Sequence, residues 1–338
     1  MKCNLKNADM VQEAAKTGGK NVIIEILMFL GLYFAIEILV VIPAVLGVMV
    51  ILFMNPDYMS AAMTGNVEKI ETMTNEMLNA EGFMVFSLLV TVIMILVPML
   101  FAKFVQKRKM RTLGFKKAGM WKEYGIGLLV GFGMMSFMVI AGVLTGALDL
   151  EFNKDLMTAA GIGFLFVFLI GFVIQGMSEE VLCRGYFLVS LARKKGNIWL
   201  GVIVNAVAFG MLHLGNPGIT ALSMVNLILF GIFASIYFVK RGSIWGIAAI
   251  HTIWNFAQGN IYGALVSGMT FGTSVFKMEL NEEMTLINGG SFGLEGGILT
   301  TIVMVAGIII MLMTKQKDIA IEVPVVAEKE VEVETAEA

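Results

Sequence analysis

The 338-residue chain is 58% hydrophobic and 15% charged, with a mean hydropathy of +0.84; soluble domains sit near about 45–50% and about 25%. That composition excludes an ordinary water-soluble domain, and no basic stripe points to nucleic acid. The formal charge of −2 is uneven: residues 315–338 hold three basic and seven acidic side chains, a net of −4, which leaves +2 for the rest.

In chain order, residues 1–21 are polar, without the short apolar core of a cleaved signal peptide, and read as a cytoplasmic segment. A helix needs about 20 mostly apolar residues to cross about 30 Å of hydrocarbon. Runs of that kind lie at 22–54, 83–105, 125–148, 161 to about 190, 198–214, 219–239, 244–267 and 297–313. The first is over-long and contains Pro43, which predicts a kinked or tilted helix. Residues 103–122 carry eight basic side chains and no acid. Arg193, Lys194 and Lys195, then Lys240 and Arg241, mark two more basic loops, and Lys2, Lys6, Lys16 and Lys20 the N-terminal segment. The loops between are acidic or neutral: Asp57, Glu68, Glu71, Glu76 and Glu81 in one, and Glu279, Glu282, Glu283 and Glu295 in another. This alternation predicts an all-α polytopic membrane bundle of about eight transmembrane helices over 22–314, in a cell membrane, with both termini cytoplasmic. The acidic tail, 315–338, reads as disordered and cytoplasmic.

Charged side chains at helix centres cost about 2.5–3.5 kcal/mol or more, so each requires a reason. Residues 176–185 (GMSEEVLCRG) place Glu179, Glu180 and Arg184 in an apolar run. On a helix Glu180 and Arg184 share a face and can pair, whereas Glu179 is turned about 100° away and reads as unpaired. The two histidines both fall in apolar runs. Asn205, Phe209 and His213 stack on one face, and Asn255 lies one turn beyond His251. Two imidazoles, a carboxamide and an unpaired carboxylate on three membrane segments are explained together by one polar pocket.

In such a pocket a carboxylate and an imidazole can deprotonate water, and an imidazole with a carboxamide N–H can stabilise an oxyanion. Glu179, His213 and His251 are also a conceivable shell for a divalent metal such as zinc, with an open water position. Both schemes hydrolyse an acyl bond. No serine or cysteine stands out as a nucleophile; Cys183 reads as a small buried residue, and Cys3 and Cys183 as free thiols.

At these residues the chain resembles the CPBP family of intramembrane proteases, which includes the type II CAAX prenyl endopeptidases. The family pattern is EExxxR, FxxxH and HxxxN on successive membrane segments. Glu179, Glu180 and Arg184 match the first, Phe209 and His213 the second, His251 and Asn255 the third. The resemblance spans about residues 160–265. It implies that Glu179 and His213 activate water, that His251 and Asn255 form the oxyanion site, and that Glu180 and Arg184 support the first carboxylate. Family members are described both as metalloproteases and as metal-free glutamate-dependent enzymes. An aspartate or third histidine for a conventional zinc shell is missing here, which favours no metal. The implied partner is a peptide or protein substrate, lipidated or otherwise membrane-associated, within the lipid bilayer.

Two readings from other classes compete. A proton-coupled transporter would also place Glu and His in membrane helices, but would show an inverted repeat or matched interrupted helices, and neither is evident. A non-catalytic protein of the bacteriocin-immunity type would tolerate an isosteric change at Glu179.

Overall fold

The computed structural model describes residues 5, 8–194 and 197–316. The acidic tail from 317 onward and Cys3 lie outside the described residues. Among the described residues, five helices are long and apolar enough to cross a membrane: α2 (Val22–Phe53), α5 (Glu81–Val105), α6 (Met120–Leu144), α7 (Ala159–Ala192) and α9 (Ala221–Arg241). Three further apolar runs are helical but shorter: α8 (Ile198–Leu212), α10 (Ile244–Phe256) and α11 (Ile298–Met313). At about 1.5 Å per residue these three fall short of a 30 Å crossing, so they need the longer helices around them. All eight apolar runs therefore fold as helices, and five are of full length.

Starts of helices obey local chemistry. The side chains of Asn21, Thr158, Asn197, Thr220 and Ser243 each accept a backbone N–H at the head of α2, α7, α8, α9 and α10, as N-caps do. Pro43 lies inside α2 without interrupting it. The run read as 244–267 stops earlier: α10 ends at Phe256, a π turn covers Ala257–Ile261, and Gly263 at φ +71° turns the chain away. The acidic loop after α2 is not irregular. It contains two more helices, α3 (Pro56–Thr64) and α4 (Val67–Leu78).

The loops sort onto two faces. Helix α1 (Asp9–Ala15) buries Met10, Val11 and Ala14, and its Glu13 pairs with Lys109 and Arg111 of the basic loop. Arg193 bonds Glu25 at 2.9 Å, Trp245 Nε1 donates to Lys116 O, and Lys240 caps the end of α11 by donating to Leu312 O and Thr314 O. Every basic loop thus gathers on one side. On the other, β1 (Leu148–Phe152) pairs antiparallel with β2 (Phe276–Leu280), joining the loops beyond α6 and α10. Glu81, at the head of α5, is hydrogen-bonded by Thr273 on that same side. These contacts group the basic loops at one end of the bundle and the loops beyond α6 and α10 at the other.

Helix α10 is wedged between α6 and α7 at backbone distance. A Cβ on Gly131 of α6 would lie 2.7 Å from Ile250 O, and one on Gly176 of α7 would lie 2.7 Å from the amide nitrogen of Thr252. Small residues of this kind let membrane helices approach closely. That approach brings the polar side chains of α7 and α10 face to face.

Candidate active site

Helix α7 changes its winding where its polar residues lie. The α-helical turns end at Glu180, and Val181–Leu188 form a π segment, a feature that recurs at functional sites. The wider winding is supported from outside: the buried Arg108 guanidinium donates to the carbonyls of Gly185 at 2.8 Å and Tyr186 at 3.2 Å. Carbonyls loosened by the π turn thereby regain donors.

Glu180 and Arg184 are both 0% exposed and bond at 2.9 Å, as their spacing predicts. The same oxygen, Glu180 Oε1, accepts from His251 Nδ1 of α10 at 2.9 Å. The Arg184 guanidinium lies 4.5 Å from the ring centre of Phe209, a cation–π contact in a desolvated setting. A carboxylate held by arginine accepts, so Nδ1 of His251 carries the proton of this bond, and in the neutral ring Nε2 then has the lone pair. Across 3.7 Å, Nε2 faces Glu179 Oε2. That gap is too long for a direct hydrogen bond and suits a bridging water.

Glu179 is not the unpaired carboxylate that its position on the helix suggests. Gln175, one turn earlier, donates Nε2 to Glu179 Oε1 at 2.5 Å, and its own Oε1 accepts from Asn255 Nδ2 at 2.9 Å. Helices α7 and α10 therefore face each other in two rungs, Glu179 with His251 and Gln175 with Asn255. Gln175 is absent from the residues that the motifs single out. Its signal is a carboxamide four residues before Glu179 in an apolar run.

His213 caps the end of α8, its Nδ1 bonded to Phe209 O at 2.8 Å. A carbonyl only accepts, so Nδ1 of His213 is the donor, and in the neutral ring Nε2 has the lone pair. Phe209 touches both histidines, tilted against the His213 ring at 4.8 Å and edge-on to that of His251 at 6.2 Å. Asn205, one turn below Phe209, bonds Ser235 and belongs to the packing.

These side chains line one cavity of about 650 Å³. Glu179, His213, His251 and Asn255 share it, while Glu180 and Arg184 sit behind its wall. The cavity reaches Asn79, Pro217 and Met269 on the acidic-loop face, which accounts for a histidine at the end of a short helix. Ser267, at φ 49°, and Gly268 form a tight turn at this mouth. Glu295 holds it, accepting from the Ser267 amide at 2.7 Å and from Trp254 Nε1 at 3.2 Å. Among the described residues, no three His, Cys, Asp or Glu side chains assemble as a metal site. Both Nδ1 atoms are engaged, as they would be in a metal-binding pair, and Nε2 of each ring and Glu179 Oε2 are left over, but among the described residues these three groups are not gathered into one shell.

The fold and this cavity define a polytopic α-helical membrane protein with a polar cavity among its helices. Residues 161–257, from the head of α7 to just past α10, match the family described as type II CAAX prenyl endopeptidase Rce1-like, the family that the three motifs in this stretch resemble. No curated protein and no solved structure matches the chain.

Proposed function

We propose that the protein is an intramembrane endopeptidase that uses Glu179 to activate a water molecule without a metal. The observation that carries this reading is the 3.7 Å gap between Glu179 Oε2 and His251 Nε2. A water in the gap donates one hydrogen bond to each acceptor and points its oxygen lone pair into the cavity. Attack on a substrate carbonyl forms the C–O bond as Glu179 takes the water proton. Asn255 uses one N–H on Gln175 and keeps a second for the oxyanion. Collapse breaks the C–N bond, and the proton on Glu179 passes to the departing amine. Glu180, clamped by Arg184, holds the His251 tautomer throughout.

In this assignment His251 takes the water-binding part that the family resemblance gives to His213. His213 Nε2 faces the same cavity as a further acceptor. The test is single-turnover cleavage of a membrane-anchored peptide panel by purified protein, with immunoblots for abundance. Glu179→Gln abolishes cleavage at normal abundance, and Asn255→Ala lowers turnover about 10²–10³-fold, as loss of one oxyanion donor does. Near-wild-type cleavage by Glu179→Gln would refute the assignment and favour a binding protein.

A further inference from the structure

Helix α2 lies outside the family match, yet it supplies part of the cavity wall through Tyr33 and Glu37. Glu37 stands in the sequence FAIEILV, halfway along a 32-residue apolar helix. A carboxylate at such a position calls for a partner. Glu37 meets the Tyr33 hydroxyl one turn earlier, and that same hydroxyl lies within the field of Glu179. The two carboxylates therefore look onto one space, one from α2 and one from α7.

The charge of that space is one-sided. Glu37, Glu179 and Glu295 line the cavity, and among the described residues no lysine or arginine does. Glu179 is satisfied by Gln175, and Glu295 by Trp254 and Ser267. Glu37 has an aromatic hydroxyl and free acceptor capacity. A carboxylate beside a tyrosine ring is a receptor for an ammonium or guanidinium group, through a charge-assisted hydrogen bond and the face of the ring. Conversely, a peptide's terminal carboxylate would enter a cavity of like charge with no cation to receive it.

We infer that Glu37 and Tyr33 form a subsite for a cationic side chain of the substrate, so that the bond cleaved is internal to a lysine- or arginine-bearing segment and not beside a free C-terminus. This rests on the protease reading above and adds the substrate's chemistry to it. The subsite belongs to α2, outside the residues 161–257 that match the family.

The test uses the full-length protein in lipid nanodiscs. One lysine is moved stepwise along an otherwise neutral membrane-anchored peptide, with glutamine in its place as control. Both equilibrium binding and cleavage are read. At one or two positions lysine improves Kd and kcat/KM by about tenfold or more, the scale of one charge-assisted bond. Glu37→Gln erases that preference, so that the lysine and glutamine peptides bind and turn over alike. Blocking the peptide C-terminus as an amide does not weaken binding. Equal handling of lysine and glutamine peptides, or an equal loss on both in Glu37→Gln, overturns the subsite while leaving the protease reading intact. Glu37-dependent lysine binding without cleavage of any peptide keeps the subsite and removes the protease reading.

Discussion

Replacing Arg184 by alanine tests whether the buried pair holds the site together. Both partners are 0% exposed, and Glu180 Oε1 accepts from Arg184 Nη1 and from His251 Nδ1, each at 2.9 Å. Glu180 Oε2 has no hydrogen-bond partner, so the carboxylate depends on those two donors. Without the guanidinium, an unpaired buried carboxylate remains, at a cost of about 3–5 kcal/mol. Loss of the contact over Phe209 adds about 1–2 kcal/mol. Against a total stability of about 5–15 kcal/mol, a loss of that size depletes the folded protein. Arg184→Ala therefore lowers both abundance in the membrane and the thermal midpoint in detergent. The double change Glu180→Met with Arg184→Met removes both charges at similar volume, so abundance recovers. Activity does not recover, because His251 has lost the acceptor that fixes its tautomer. The measurement is quantitative immunoblotting with thermal unfolding and cleavage for the single and double variants. Full abundance and an unchanged midpoint in Arg184→Ala would refute the reasoning.

Other parts of the molecule give three further outcomes. Exhaustive chelation leaves cleavage intact and metal analysis finds no stoichiometric zinc; loss of activity that zinc restores would instead make Glu179, His213 and His251 ligands. Bonds from Lys16, Arg111 and Lys109 hold the Glu13 carboxyl down to about 2 from 4.5. Its folded value is depressed, so its contribution to docking α1 is complete above about pH 4.5 and disappears as pH falls through about 2. Protection factors of the amides across 9–15, taken against intrinsic exchange at each pH, should fall over that window, and Glu13→Gln should remove that fall. Reporter fusions within 103–122 and after residue 314 should both read cytoplasmic, since the basic loops share one face; an outside signal from either sinks the orientation.

Much of the fold was legible because hydrocarbon imposes a single local rule. Backbone groups have no water to bond, so each long apolar run becomes a helix, and capping side chains mark where it starts. The ends of α10 and α6 were harder, since apolar residues continue past them. A π turn and a glycine at positive φ stop α10, and the chain leaving α6 enters a strand whose partner, β2, belongs to the distant loop beyond α10. Helices α3 and α4 were missed for the opposite reason. They are polar and largely exposed, with no buried residue in α4, so neither hydropathy nor charge distinguishes them from loop.

The site was legible to the extent that it is local. Glu180 with Arg184, and Phe209 with His213, are contacts within one helix at a spacing of four, where sequence distance and spatial distance agree. Contacts between helices carry no such rule. The rung from Gln175 to Asn255 and the bond from Glu180 to His251 exist because Gly176 lets α7 approach α10. Nothing in either segment alone specifies that approach. The apparent isolation of Glu179 was an error of the same kind: helical geometry excludes Arg184 as its partner, but says nothing of a carboxamide one turn in the other direction. The cost of burying polar groups supplies the missing constraint. Every charged or amide side chain that survives in an apolar run must be answered by another, so Gln175 and Asn255, on separate helices, were each evidence for the other. The same requirement, applied to Glu37, is what extends the site to α2.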